Sequence, residues 1–174
     1  MSSEHHFITY LESLTQADDR GALAALRRGL GQPPGTVPDM FPYVVPQLPN
    51  NAYPGSWTEQ CYYLIASLYA LYPEMGNGRN LGSHFARTLQ HDAEKDKAVE
   101  RRFTALLTAH PQDLPVYLRQ AISFLRSKEI PINWRQLMWD VQAWDNPDKL
   151  PRIQKRWANE FWRLQKQDDD KDGE

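Results

Sequence analysis

Two histidines and a neighbouring carboxylate are the side chains of this sequence best suited to metal chemistry. His91 and Asp92 form a dipeptide, and His84 precedes them on a segment of helical pattern. A His-Asp pair with another helical histidine can belong to a metal-dependent phosphohydrolase. Such a site needs further ligands, but the other histidines lie at the amino terminus and beside Pro111. We therefore predict no metal site and keep a phosphohydrolase only as the weakest alternative.

Other catalytic or cofactor-binding arrangements have no better support. Cys61 is the only cysteine, and its place in the apolar run 61–66 predicts a buried thiol rather than a nucleophile. No serine or cysteine stands at a strand-to-helix turn. Gly76-Asn77-Gly78 lacks the lysine and hydroxyl residues of a phosphate-binding loop. The sequence therefore predicts no enzyme activity and no cofactor.

Arginines on predicted helices could bind phosphate, because the guanidinium group stays charged and its planar fork can hold two phosphate oxygens. At about 100° per residue, Arg101 faces away from the apolar stripe of its helix and Arg102 lies at the edge. Arg119 and Arg126 are seven residues apart and fall on one exposed line, about two turns apart. A third line on the last predicted helix consists of Arg152, Arg156 and Arg163. The pattern predicts binding of a nucleic-acid backbone without sequence preference.

Two alternatives stay open for these arginines. An ion pair with an acid of the same chain explains the position of any single arginine equally well. A protein-binding helical adaptor, with basic surfaces that pair with acidic partner surfaces, is the second alternative. Base-specific readout is not predicted, because no helix-turn-helix, zinc-finger or RNA-recognition motif is present.

Charge is distributed unevenly along the chain. The net charge is −2, but residues 1–78 carry −4, residues 79–166 carry +6 and residues 167–174 carry −4. The last segment has no apolar residue, which predicts a disordered acidic tail over 167–174. No stretch approaches the roughly 20 apolar residues of a membrane span, and the first residues lack the pattern of a secretory signal. We therefore expect a cytoplasmic protein with a basic body and no membrane contact.

The elements that must position these residues are α-helices. Apolar residues recur at spacings of three and four, which predicts an all-α fold of about eight helices. Seven prolines between residues 31 and 55 exclude regular helix there, so a long Pro-rich loop, 31–56, follows the second helix. Its interleaved aromatic residues predict that the loop packs along the helices. The polar run 91–96 predicts a boundary between two packed helical halves, 1–90 and 97–166.

Local signals mark where several of these helices begin. Ser56 and Glu59 have the spacing of a capping box, and the helix that follows, up to Leu71, is apolar on nearly all sides and is predicted to be the most buried. Asn80 and Asn133 are predicted caps of two later helices. The helices of the second half are predicted over 97–109, 114–127, from 133 onward, and 148–166 with a proline in the first turn.

Several short sequence motifs occur in a recognisable order along the chain. They are Leu-Ala-Ala-Leu-Arg-Arg-Gly-Leu-Gly at 23–31, Glu-Arg-Arg-Phe at 100–103 and Leu-Pro-Val-Tyr-Leu-Arg-Gln-Ala-Ile at 114–122, followed by Ile-Asn-Trp at 132–134, Arg-Trp-Ala at 156–158 and Phe-Trp at 161–162. Their order and spacing resemble the CasB family, the small subunit of the type I-E CRISPR surveillance complex called Cascade. The resemblance extends over nearly the whole chain except the acidic tail.

This resemblance implies a non-catalytic, all-helical subunit of two packed halves. It implies assembly with the large subunit, the backbone subunits and a second copy of the chain. It also implies contact with guide RNA and target DNA, in which the subunit stabilises the guide/target duplex and the displaced single strand of the R-loop. The implied nucleic-acid-binding residues are Arg27, Arg101, Arg119 and Arg126, with Arg28, Arg102, Arg152 and Arg156 as secondary positions. Arg27 lies beside the apolar stripe of its helix, so an interface or a buried ion pair remains open there.

Overall fold

The protein is described by a computed structural model that covers residues 2–169, without the side chains of residue 3 and residues 164–169. The chain divides into two compact units, Met1–Glu74 and Met75–Glu174. The first contains α1 (Ser3–Gln16), α2 (Arg20–Arg27), α3 (Phe41–Val44) and α4 (Trp57–Leu71). The second contains α5 (Leu81–Ala86), α6 (Ala93–Leu107), α7 (Leu114–Ser127), α8 (Trp134–Gln142) and α9 (Leu150–Asp169). The predicted all-α class is confirmed.

Extended pairing is confined, within residues 2–169, to one isolated parallel bridge between Met75 and Ile132 in the second unit. None of the helices over these residues has the length and apolar character that crossing a membrane requires.

Helix α4 forms the core of the first unit. Every residue from 61 to 70 is buried, including Cys61, as predicted. Helices α2 and α3 pack against α4, and Phe7 of α1 places its ring 4.5 Å from that of Tyr62. Over these ten positions α4 has no side that faces solvent.

The cap of α4 differs in one detail from the prediction. Ser56 Oγ accepts a hydrogen bond from the amide of Glu59 at 3.1 Å, as expected for the N-cap. In a capping box the Glu59 carboxylate would accept from the amide of Ser56, but here it accepts from the amide of Gly55, one residue earlier. The reason is that the Ser56 amide already donates to the carbonyl of Tyr53.

The Pro-rich segment packs on α4, as its aromatic residues predict. Met40 and Val44 are buried, and the ring of Phe41 lies 6.1 Å from that of Tyr63. The prediction that no regular helix forms here was wrong for one turn, because α3 is flanked by 3-10 turns at Pro38–Met40 and Val45–Gln47. Prolines occupy the first or second position of each turn, where no intrahelical amide hydrogen bond is required.

Helix α5 packs mainly against α9 and therefore belongs to the second unit. The approach is close at Gly82, where an added Cβ would lie 2.0 Å from the carbonyl oxygen of Trp157. Asn80 caps α5 as predicted, in a reciprocal capping box with Ser83. The division of the chain thus precedes α5, whereas the polar run had placed it at 91–96.

That polar run begins a helix. Asp92 accepts hydrogen bonds from the amides of Glu94 and Lys95 and caps α6, which starts at Ala93, four residues before the predicted start. The sequence pattern missed this turn because its residues are all exposed or half-buried and carry no apolar signal.

The apolar stripes of the second unit are confirmed. The buried members are Val99, Phe103 and Leu106 on α6, Leu114, Leu118, Ala121 and Leu125 on α7, and Ile153, Trp157 and Phe161 on α9. Leu107, also predicted to belong to the stripe of α6, is only half-buried, and the side chain of Leu164, predicted to belong to that of α9, lies outside the described part. Asn133 caps α8 with its side chain, and Pro151 lies in the first turn of α9. Helix α9 continues to Asp169, into the predicted tail, of which residues 170–174 lie outside the described part of the chain.

Candidate nucleic-acid interface

The eight arginines that are predicted to bind nucleic acid are all exposed. Arg27 and Arg28 belong to the first unit, and the other six belong to the second. Exposure alone does not make a phosphate site, because an arginine that is paired with a carboxylate must give up one anion to bind another. The local partners of each guanidinium therefore decide its suitability.

Two of the eight have a carboxylate partner among the described side chains. Arg28 donates to Asp39 across the turn that follows α2. Arg156 on α9 donates from Nη2 to Asp140 of α8 at 3.3 Å. At these two positions an intramolecular ion pair, the alternative that the sequence left open, is present.

Arg156 is the outer member of a polar cluster around Asp140, a carboxylate that is only 3% exposed. Oδ2 of Asp140 accepts from Nε1 of Trp157 at 2.7 Å, and Oδ1 accepts from Nε2 of Gln136 at 3.0 Å. Burial raises the pKa of Asp140, while the hydrogen bonds from Trp157 and Gln136 and the charge of Arg156 oppose the shift. Arg156 therefore helps to compensate a buried charge and is a weaker candidate for phosphate.

Arg101, Arg119 and Arg126 fit a phosphate role best. All three are exposed, and none forms an ion pair with a carboxylate whose side chain the structure describes. Arg119 and Arg126 lie on one exposed line along the side of α7, beside its buried stripe and about 10 Å apart along the axis at the rise of an α-helix. Helix α6, which carries Arg101, packs against α7. Two neighbouring helices thus present unneutralised guanidinium groups.

Arg27 and Arg152 are exposed and likewise lack an ion pair within the described residues. Nε of Arg27 donates to the carbonyl of Leu23 at 3.2 Å, one turn earlier in α2. The buried pairing that the sequence left open for Arg27 is therefore not present. Arg152 is in the first turn of α9.

Arg102 lies over an aromatic ring. Its Cζ is 4.7 Å from the centroid of Phe124 on α7, and Nζ of Lys128 is 5.9 Å from the same centroid. Phe124 is half-buried and its ring packs 5.6 Å from that of Phe85. A groove with a volume of about 170 Å³ opens beside this ring, and we call it the Phe124 groove. The rim includes Lys95, Arg102 and Lys128.

The candidate metal ligands have structural roles instead. His84 is 1% exposed, and its Nε2 accepts from the amide of Asn133 at 3.0 Å. The Asn133 side chain also donates to the carbonyl of Gly78 at 2.8 Å. Burial, with a smaller effect from Arg87, lowers the pKa of His84 to about 4. His84 is therefore neutral near pH 7 and connects α5 to Asn133, the residue before α8.

His91 is exposed in the left-handed backbone region, with φ of 58°, and Asp92 caps α6. Neither residue is part of a cluster of three or more potential ligands in the portion of the chain that is described. The His-Asp dipeptide is thus explained by the turn and cap at the start of α6.

The low pKa of His84 makes the stability of the second unit depend on pH. A histidine in the unfolded chain titrates near 6.5, so below that pH the unfolded state binds the proton first. The folded state is therefore favoured most above about pH 6.5, where His84 is neutral in both states, and its free energy of unfolding decreases as the pH falls towards 4. We expect the free energy of unfolding, from urea titrations, to be about 2 kcal/mol lower at pH 5 than at pH 7.

The matched variant is His84→Gln, which keeps an acceptor near the Asn133 amide and does not titrate. It should lose most of the difference between the two pH values, whatever its stability at pH 7. An equal difference in both proteins would assign the pH dependence to other groups.

Two features of this region were not predicted from the sequence. The Asp140 cluster joins residues 17 positions apart on α8 and α9, and no local spacing signals it. The contact of Arg102 with Phe124 also crosses two helices. Only the spacing of Phe124 and Lys128, four residues apart at the end of α7, could have suggested a cation beside an aromatic ring.

Comparisons with known proteins agree with this architecture. A family model described as CRISPR-associated protein Cse2 matches residues 22–162. The CRISPR-associated protein Cse2 of Thermus thermophilus is 35% identical over 166 residues, which cover 93% of this chain and 91% of the relative.

Solved structures are similar along the same length. CasB from Thermus thermophilus is 34% identical with a TM-score of 0.78, over 93% of this chain and 99% of that one. CasB from M. ruber is 32% identical with a TM-score of 0.77, over 97% of each chain. A chain of a CRISPR RNA-guided surveillance complex, 20% identical, has the same fold with a TM-score of 0.77, over 93% of this chain and 92% of that one.

Proposed function

The chain belongs to the family of CRISPR-associated protein Cse2, and on that premise we propose that it is a non-catalytic subunit of a CRISPR RNA-guided DNA surveillance complex. In this role its surface binds nucleic-acid backbone without sequence preference and stabilises the guide/target duplex and the displaced strand. A relative of the same fold is a chain of such a complex.

The observation that carries the proposal is the set of exposed, unneutralised guanidinium groups of Arg101, Arg119 and Arg126 on α6 and α7. Opening DNA by guide pairing is close to balanced in free energy, so a few phosphate contacts to the displaced strand can favour the open state. Each such contact also releases counterions, which makes the stabilisation dependent on salt. Arg27 and Arg152 are further candidates, while Arg28, Arg102 and Arg156 already have local partners.

Exposed apolar side chains also favour contacts with protein partners. Tyr53 in the Pro-rich segment is 69% exposed, and in the second unit Val116 is 59% and Trp139 is 56% exposed. Large apolar side chains at a surface are typical of protein contacts. We assign them to contacts with the large subunit, the backbone subunits or a second copy of the chain. A pure adaptor would use these contacts and the basic surface for assembly alone.

The test is strand opening by the reconstituted complex with Arg119→Ala and Arg126→Ala combined. We expect opening to fall about tenfold. The negative slope of the logarithm of the binding constant against the logarithm of the salt concentration should become shallower by about 1.4, because two single-strand phosphate contacts are lost. Adding Arg101→Ala should deepen both effects. The readouts are target-strand displacement at several salt concentrations and assembly of the complex on a sizing column.

The matched control is Arg20→Ala with Arg79→Ala, which removes two exposed arginines that pair with Asp18 and Glu160. It should leave opening nearly unchanged. If both pairs of substitutions reduced opening equally, total charge and not these positions would be responsible. Loss of assembly without any effect on opening in assembled complexes would favour the adaptor.

A further inference from the structure

The Phe124 groove combines an apolar floor with a cationic rim. Val99 and Phe124 supply apolar surface, and Arg102 and Lys128 lie within 6 Å of the Phe124 ring centroid. Arg102 and Lys128 are exposed, and neither has an ion pair among the side chains of residues 4–163. The groove therefore suits a ligand that is planar or apolar on one side and negatively charged on the other.

Two carboxylates near the groove offset only part of this charge. Asp96 lines it, and its Oδ1 accepts from the amide of Gln90 at 2.9 Å, which fixes the loop before α6. Asp92 caps α6 and lies 3.8 Å from Nζ of Lys95, a long and solvent-exposed pair. Arg102 and Lys128 line the groove without a carboxylate partner among the described side chains.

The size of the groove limits the ligand. Sites for drug-sized ligands and cofactors usually span about 300–1,000 Å³, and this groove has about 170 Å³. It has room for one small planar group rather than a dinucleotide. An arginine guanidinium can stack a nucleobase, and Arg102, which lines the groove, is exposed as that arrangement requires.

We propose that the Phe124 groove binds one unpaired nucleotide of a single strand, with the base against Arg102 and the adjacent phosphate near Lys128. The inference rests on the proposed function, since it assigns one position of the basic surface to a base and not to backbone alone. A duplex cannot fill the site, because its bases are stacked and paired. The groove thus confers a preference for single-stranded nucleic acid that the arginines of α7 do not provide.

The test compares two fluorescent strands of equal length, a thymidine oligonucleotide and its abasic sugar-phosphate analogue, by anisotropy with the purified full chain at low salt. Stacking of one base should make the thymidine strand bind about tenfold more tightly. Arg102→Lys keeps the charge but removes the planar group, so the ratio of the two affinities should fall towards one. Affinity for the abasic strand should stay the same.

Two further variants locate the effect. Phe124→Leu keeps apolar volume against Phe85 and should also reduce the ratio, with folding checked by circular dichroism. Arg119→Lys is the matched control on α7 and should retain the ratio.

Each other outcome overturns a defined part of the inference. Equal affinity of the wild-type chain for both strands removes the base site and leaves the phosphate surface. If Arg102→Lys leaves the ratio of the two affinities unchanged, the base binds at a site other than the Phe124 groove. Binding of neither strand contradicts the proposed function as well. Competition by an acidic peptide that is equally sensitive to Arg102→Lys would make the groove a protein-docking surface.

Discussion

The variant Gly82→Ala should destabilise the second unit by about 3 kcal/mol, the upper part of the range for inserting a methyl group into a close-packed contact. The new Cβ would lie 2.0 Å from the carbonyl oxygen of Trp157, a backbone atom that cannot rotate away. Alanine favours a helix over glycine by about 1 kcal/mol, which is too little to offset the overlap. Helices α5 and α9 must therefore separate.

Urea unfolding followed by tryptophan fluorescence measures this effect, since five of the six tryptophans lie in the second unit. Gly21→Ala on α2 is the control, because the nearest atom to its added Cβ is 3.6 Å away. That variant should be neutral or more stable by about 0.5 kcal/mol. A Gly82→Ala protein that unfolds at the wild-type urea concentration would show that α5 and α9 do not approach this closely.

Asp140→Ala should cost between about 2 and 3 kcal/mol, because it leaves the indole amine of Trp157 and the amide of Gln136 without their acceptor in a buried site. Asp140→Asn retains an acceptor for Trp157 and should cost less. The same fluorescence-monitored urea unfolding compares the two.

Arg156→Ala separates the structural role of the guanidinium from a phosphate role. Its side chain is 60% exposed, so its loss should change stability by less than about 1 kcal/mol. Strand opening should stay close to that of the wild type. A large loss of strand opening at unchanged stability would instead indicate that Arg156 contacts nucleic acid.

Features set by neighbouring residues were predictable from the sequence. The buried run of α4 follows from ten consecutive small, apolar or aromatic positions, and the Asn80 and Asn133 caps follow from a side chain that competes for the first amides of a helix. The exposure of Arg119 and Arg126 follows from the angle between successive residues of α7. These are local consequences of helical geometry.

Features that depend on tertiary packing were not predictable. His84 and Asn133 are 49 residues apart, and no local sequence pattern around either residue indicates their contact. The same holds for Arg28 and Asp39, whose pairing depends on the path of the chain after α2. The boundary was misplaced for this reason too, because the short helix α5 joins the second unit through a contact with α9, the last helix of the chain.

The position of α4 in the chain bears on how the protein is made. Its packing partners α1, α2 and α3 all precede it, so they leave the ribosome before the helix that covers their apolar sides exists. The first unit therefore cannot acquire its core until synthesis has passed residue 71. Up to that point the nascent chain carries amphipathic segments with uncovered apolar surface, which is the condition in which chains associate with one another or with chaperones.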